Sequence, residues 1–233
     1  MSGFLQALRQ CAREGRVPVI PDFKRISPKE GALFEGRDPA EAARAMVLAG
    51  APVLSVVTEK AHFGGSPELL REIAEAVRVP VLRKDFIRSV RDLEETAAWG
   101  ASAVLLICAS MEPELLRTCC AAAPSLGLEA LVEAHTEEEM RFAVSLGCPL
   151  LGINNRDILD LERDGGTVSR TARLASLKPP GAFLISESGL KGPDDVLRAV
   201  GSGADGVLIG TALWRAEDPF AFYRALSGAG GEG

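Results

Sequence analysis

An eightfold alternation constrains this chain more than any other feature. Short apolar, often β-branched runs recur at Val17 to Phe23, Val53 to Thr58, Val79 to Leu82, Ala103 to Ile107, Leu128 to Glu133, Leu150 to Asn154, Phe183 to Ser186 and Gly206 to Ile209. Most are too continuous for strands with one wet face, so they fit a sheet covered on both sides, as parallel sheets are. Stretches of helical spacing lie between them. Asp38-Pro39 supplies an N-cap and a first-turn proline ahead of Ala40, Ala43, Met46 and Val47, and Ser66-Pro67 opens another stretch whose stripe is Leu69, Leu70, Ile73 and Val77. Thr136 to Glu139 reads as a capping box, with Glu139 reaching back to the N-cap N–H. Gly192-Pro193-Asp194-Asp195 and Asp218-Pro219 are further starts, and Gly50, Gly100, Gly127, Gly147 and Gly203 stand where left-handed C-terminal caps are expected.

Eight strand–helix units in 233 residues fit a closed (β/α)8 TIM barrel, an α/β fold that typically takes ~250 residues. The rival is an open doubly wound sheet. Its first turn would carry G-x-G-x-x-G, whereas here that turn is Lys24-Arg25-Ile26-Ser27-Pro28. A hydrophobic content of 47% suffices for one large core and no linker-like stretch breaks the alternation, so residues 1–233 read as a single domain with 227–233 as a disordered tail. The leading Phe4, Leu5, Leu8, Cys11 and Ala12 predict a short N-terminal helix over one barrel end.

A net charge of −6 argues against a nucleic-acid surface, which needs clustered positive charge, and leaves room for a basic pocket that takes a small anion. The five cysteines are odd in number and lack C-x-x-C spacing, so they read as buried thiols in a reducing compartment. His62 and His135 have no third ligand at useful spacing, and no metal is expected. No apolar run approaches the ~18 to 20 residues of a membrane span and no signal-peptide core opens the chain, so no membrane partner is expected. A cytoplasmic monomer or weak homo-oligomer is the expectation.

Barrel enzymes keep their chemistry where strands end. Asp22 and Lys24 are two apart, so they share one face of the first strand; Phe23 belongs under the helices, which sends both charges into the mouth. Lys84 closes the third strand, where a second nearby ammonium and partial desolvation would make it a usable proton donor. Glu133 and Asn154 close two more strands. If the barrel closes, Asp22, Lys24, Lys84, Glu133 and Asn154 converge as paired acids and bases for proton transfer. The last two strands end in Ser186-Glu187-Ser188-Gly189 and Ile209-Gly210-Thr211, small residues that let backbone N–H groups approach an anion. A structural ion pair in a polar barrel layer is the competing account of the first pair.

At these residues the chain resembles the indole-3-glycerol-phosphate synthase family, from about Phe4 to Leu226. The resemblance rests on Asp22 to Pro28, Thr58-Glu59 with Phe63-Gly64-Gly65-Ser66, Lys84-Asp85-Phe86-Ile87, Leu131 to His135, Gly152-Ile153-Asn154-Asn155-Arg156-Asp157, Glu187-Ser188-Gly189 and Leu208-Ile209-Gly210. It implies a barrel that closes the ring of 1-(2-carboxyphenylamino)-1-deoxyribulose 5-phosphate to indole-3-glycerol phosphate with loss of carbon dioxide and water, without a cofactor. By the family pattern Lys84 is the general acid, Glu133 the carboxylate that stabilises positive charge or acts as base, and Lys24 a contact to the substrate carboxylate. Asn154 and Arg156 hold the substrate and Phe86 adjoins it. Ser27, Gly189, Gly210 and Thr211 bind phosphate, and Glu187 and Ser188 line the pocket.

Asp22 departs from the pattern, which has glutamate there at a position tied to dehydration. The shorter acid keeps the charge, but ~1 Å of misplacement can cost ~100-fold in rate. Thr211 for the more usual serine keeps its hydroxyl. The segment before the first strand is shorter than the family's usual extension, so weaker substrate affinity is expected. Two alternatives follow from Asp22: a related sugar-phosphate isomerase, or a non-catalytic or altered-activity barrel that binds an aryl or sugar phosphate.

Overall fold

The computed structural model describes residues 3–34, 36–156, 159 and 167–228. Eight parallel strands close into a barrel in chain order: β1 (Val19–Phe23), β2 (Leu54–Val57), β3 (Val81–Lys84), β4 (Ala103–Ile107), β5 (Glu129–Ala134), β6 (Leu150–Asn154), β7 (Phe183–Glu187) and β8 (Gly206–Ile209). β1 pairs with both β2 and β8, so no edge is left open. Seven of the strands are buried at every residue and β5 at all but its first, which accounts for the unbroken apolar runs in the sequence.

Helices surround the strands: α1 (Phe4–Arg13), α2 (Pro39–Leu48), α3 (Pro67–Ala76), α4 (Val90–Ala98), α5 (Pro113–Ala122), α6 (Glu137–Ser145), α7 (Ser169–Leu174), α8 (Pro193–Gly201), α9 (Thr211–Arg215) and α10 (Pro219–Ser227). The predicted caps form: Asp38 accepts from Glu41 N–H, Ser66 from Leu69 N–H, and Asp218 from Phe220 and Ala221 N–H. The glycines placed at helix ends all take left-handed backbones, with φ of 107° at Gly50, 88° at Gly100, 73° at Gly127, 72° at Gly147 and 106° at Gly203. At α6 the pattern differs from a simple capping box. Thr136 accepts from Glu139 N–H, but the Glu139 carboxylate passes Thr136 and takes the N–H of His135 at 2.7 Å. Ser227 closes α10, and residues 229–233 of the expected tail lie outside the described residues.

Alternation along the strands builds two surfaces. Ile20, Val53, Leu82, Leu105, Leu131, Leu150, Ile185 and Leu208 pack together inside the barrel, while residues such as Val19, Phe23, Val56, Leu106 and Leu151 pack outward under the helices. α1 plugs one barrel end. Its Phe4, Leu5 and Leu8 join the interior cluster, and its Leu5 N–H donates to Glu129 Oε2 at 3.0 Å, so an acid at the start of β5 holds the helix N-terminus. The helix therefore seals the end where strands begin and leaves the other end open. Among the described residues no helix is long and apolar enough to cross a membrane.

Candidate active site

At the open end, β1 delivers its two charges as the alternation demands. Phe23 lies outside, its ring 4.9 Å from Trp214 and 5.8 Å from Phe34, and Trp214 Nε1 donates to Asp22 O at 2.7 Å. Asp22 and Lys24 then turn into the mouth. Ser55, the register partner of Asp22 on β2, donates from Oγ to Asp22 Oδ1 at 2.7 Å and fixes one carboxylate oxygen.

β3 presents Lys84 to the same mouth and sends Arg83 to the opposite face. Arg83 is buried there. Its guanidinium lies 4.2 Å from the Trp99 ring centroid and donates to Thr58 Oγ1, Thr96 Oγ1, Asp92 O and Asp85 Oδ2. Asp85 is thereby drawn back onto Arg83 and Thr58, whose hydroxyl donates to it at 2.5 Å, and its other oxygen takes the Phe86 N–H at 2.8 Å. The Lys84-Asp85-Phe86 motif divides its labour: the lysine faces the cavity, the aspartate anchors the strand end and the phenyl ring is set into the mouth. Sequence reasoning missed Arg83, because the apolar run stops at Leu82.

Three further strand ends contribute fully buried polar side chains: Glu133, Asn154 and Glu187. Asn154 Nδ2 donates to Glu133 Oε2 at 3.1 Å, and Asn154 Oδ1 accepts the Arg156 N–H at 3.0 Å. The neighbouring Asn155 points the other way. Its Nδ2 donates to Ser186 Oγ, Glu187 O and Ser188 O, and its Oδ1 accepts from Thr171, so it clamps the turn after β7 from behind. Arg170, another residue without a sequence signal, donates to the carbonyls of Asn154 and Arg156. Asp157 of the same motif lies outside the described residues.

Asp22, Lys24, Lys84 and Arg156 line one cavity with Ser188, Gly189, Gly210 and Thr211, and Lys191 and Arg215 add further positive charge to its wall. Ser188 has φ of 61° and Gly189 φ of 73°, so two successive residues in left-handed backbone turn the chain away from β7. A non-glycine residue there is uncommon and marks a turn whose shape the surroundings enforce. The cavity opens beside a second, apolar one lined by Phe63, Phe86, Val57, Leu105 and Ile107, with Lys24 and Lys84 at the boundary of both. Lys24 Nζ lies 5.5 Å from the Phe63 ring centroid. Ser27 is buried in a hairpin formed by Ile26–Ser27 and Gly31–Ala32, where its Oγ accepts the Glu30 N–H; it does not line either cavity.

A closed barrel whose open end joins a largely apolar cavity with two phenyl rings in its wall to a cationic, glycine-walled pocket, with two lysines at the seam, defines a (β/α)8-barrel enzyme for a small aromatic anion. Comparison with known proteins gives the particular family. Residues 1–226 match the family described as indole-3-glycerol phosphate synthase, and the chain belongs to it. An indole-3-glycerol phosphate synthase of Kineococcus radiotolerans is 46% identical over 94% of this chain and 79% of its own length. Those of Thermococcus kodakarensis and Pyrococcus furiosus are each 44% identical, covering 96% of both chains and 93% of both chains respectively. The family consists of carboxy-lyases of tryptophan biosynthesis.

Proposed function

We propose that this chain closes the indole ring of 1-(2-carboxyphenylamino)-1-deoxyribulose 5-phosphate, releasing carbon dioxide and water. One observation carries the reading: Lys24 and Lys84 stand at the junction of the aromatic slot and the cationic pocket. A substrate with an aryl ring at one end and a phosphate at the other places its carbonyl at that junction. Lys84 donates a proton to the carbonyl oxygen as the aryl carbon attacks, and Lys24 pairs with the departing carboxylate. Loss of carbon dioxide returns the electrons to the ring. Glu133, steadied by Asn154, stabilises the cationic intermediate and, in the dehydration, takes the proton from the former sugar methylene carbon; Asp22 gives the departing hydroxyl the proton with which it leaves as water. Arg156 holds an anionic group through its planar fork, and the turns at Gly189 and Gly210 to Thr211 receive the phosphate. The five free cysteines support a reducing, cytoplasmic setting, and a monomer or weak homo-oligomer is the working form.

Turnover is read by the fluorescence of the indole product when purified chain meets the substrate, with phosphoribosylanthranilate as control substrate. Fluorescent product from the first alone is expected. A folded chain that makes no indole would overturn the reading.

A further inference from the structure

Among the described residues, three polar atoms at the end of β5 are buried without a hydrogen-bond partner: Glu133 Oε1 and both ring nitrogens of His135. The imidazole stands between two acids. His135 Nε2 is 3.6 Å from Glu133 Oε1, and on the other side of the ring Nδ1 is 3.4 Å from Glu139 Oε2. His135 is 7% exposed and Glu133 is fully enclosed, so these atoms have one another and little water to satisfy them.

The wider surroundings fit a chain of contacts that runs inward from α6. Glu139 is fixed at the helix start by the His135 backbone N–H and by Thr136, which accepts the Glu139 N–H. Glu133 Oε2 is held by Asn154. Cys108, at the end of β4, faces both acids, and burial with the two carboxylates pushes its thiol up to about 12, so it adds no charge. Among the described residues, the ion pairs of Glu133 and of Glu139 both run to His135. With a proton on each nitrogen the ring donates in both directions. The contact to Glu133 is too long for a hydrogen bond in this state, and contacts of this kind commonly tighten when substrate fills a site.

We propose that His135 is a positioning residue for Glu133: anchored by Glu139, it donates from Nε2 to Glu133 Oε1 and, with Asn154 on Oε2, fixes the carboxylate plane against the reacting ring. The proposal rests on Glu133 acting in the ring closure. A histidine that only stiffens the start of α6 would make the same static contacts, so the test must separate the two.

His135→Phe keeps the ring volume and removes both donors, while His135→Gln keeps one. The expected result is a kcat loss of about 10-fold or more for His135→Phe, from misplacement of a catalytic group, with KM little changed and most of the loss recovered by His135→Gln. In a Glu133→Gln background His135→Phe should cost nothing further. An unchanged kcat in His135→Phe, or the same fold-loss with and without Glu133, would overturn the proposal. Should His135→Phe fail to fold, His135→Gln and Glu139→Gln serve instead: small losses that do not multiply when combined support the chain of contacts, and losses that multiply overturn it. A wild-type chain without turnover, or a Glu133→Gln variant with full turnover, would instead defeat the ring-closure roles on which the proposal stands.

Discussion

The carboxylate of Glu187 fills the space that a side chain on Gly152 would need: a Cβ at Gly152 would clash with Glu187 Oε1 and stand 3.4 Å from Leu131 Cδ1. Gly152 is the register partner of Glu133 on one side and of Ile185 on the other, so its missing side chain lets an acid from β7 lean across β6 inside the barrel. Gly152→Ala should push the flexible end of Glu187 aside without breaking the strand. We expect kcat to fall by about 100-fold, the scale of a ~1 Å displacement at a reacting site, with the thermal midpoint shifted by only a few degrees. Steady-state kinetics alongside a melting curve checks both halves.

Asp22 has its Oδ1 tied to Ser55, and its backbone carbonyl is tied to Trp214, so the acid is held short and rigid. Asp22→Glu restores the side-chain length of the family pattern and extends the carboxylate toward the seam between slot and pocket. Its kcat should rise several-fold, while Asp22→Asn should lose about 100-fold for want of a proton donor to the departing hydroxyl. A fall in kcat for Asp22→Glu would show that the site is fitted to the shorter acid.

α1 lies at the barrel end away from the mouth, so damage there should separate stability from catalysis. Leu8 is fully buried among the interior cluster. Leu8→Ala leaves a cavity and should cost about 2–5 kcal/mol, read by urea denaturation, with kcat within about twofold of wild type below the melting transition because no group at the mouth moves. A large drop in kcat at full folding would mean that the plug transmits strain through the barrel.

Much of this was legible in the sequence because barrel strands impose period two. That periodicity alone puts Asp22 and Lys24 on one side and Phe23 on the other, and it places Lys84 inward once β3 is known to end there. The helix caps at Asp38, Ser66 and Asp218 were legible for a local reason, since a short polar side chain satisfies an N–H three residues away. What stayed hidden depends on neighbours distant in sequence. Arg83 directly follows an apolar run, and nothing local announces that Trp99 and Thr96, from α4 and its C-terminal edge, bury it. Gly152 reads only as one residue of the run Leu150 to Asn154 until Glu187, 35 positions later in the chain, is seen to occupy its side-chain space. The amphipathic spacing of α1 called for an apolar partner, but only the bond from Leu5 to Glu129 tells which barrel end it closes.

Glu139 carries a pH dependence whose sign follows from its contacts. Burial pushes its carboxyl up, but the His135 ring, the His135 N–H and the Thr136 hydroxyl outweigh this and hold it below its ordinary value of 4.5. As pH falls, the unfolded chain therefore takes up this proton before the folded chain does. The stabilisation is complete above the unfolded value and is lost as pH drops through the lower folded one. Glu139→Gln removes the titration. Its thermal midpoint should lie below that of wild type near neutral pH, and the gap should close as pH is lowered through the ordinary value of 4.5 and below it, as the wild-type carboxylate takes up its proton. Circular dichroism melts of the two proteins across that range test the sign directly: a gap that widens on acidification would place the Glu139 carboxyl above its ordinary value and contradict the contacts assigned to it.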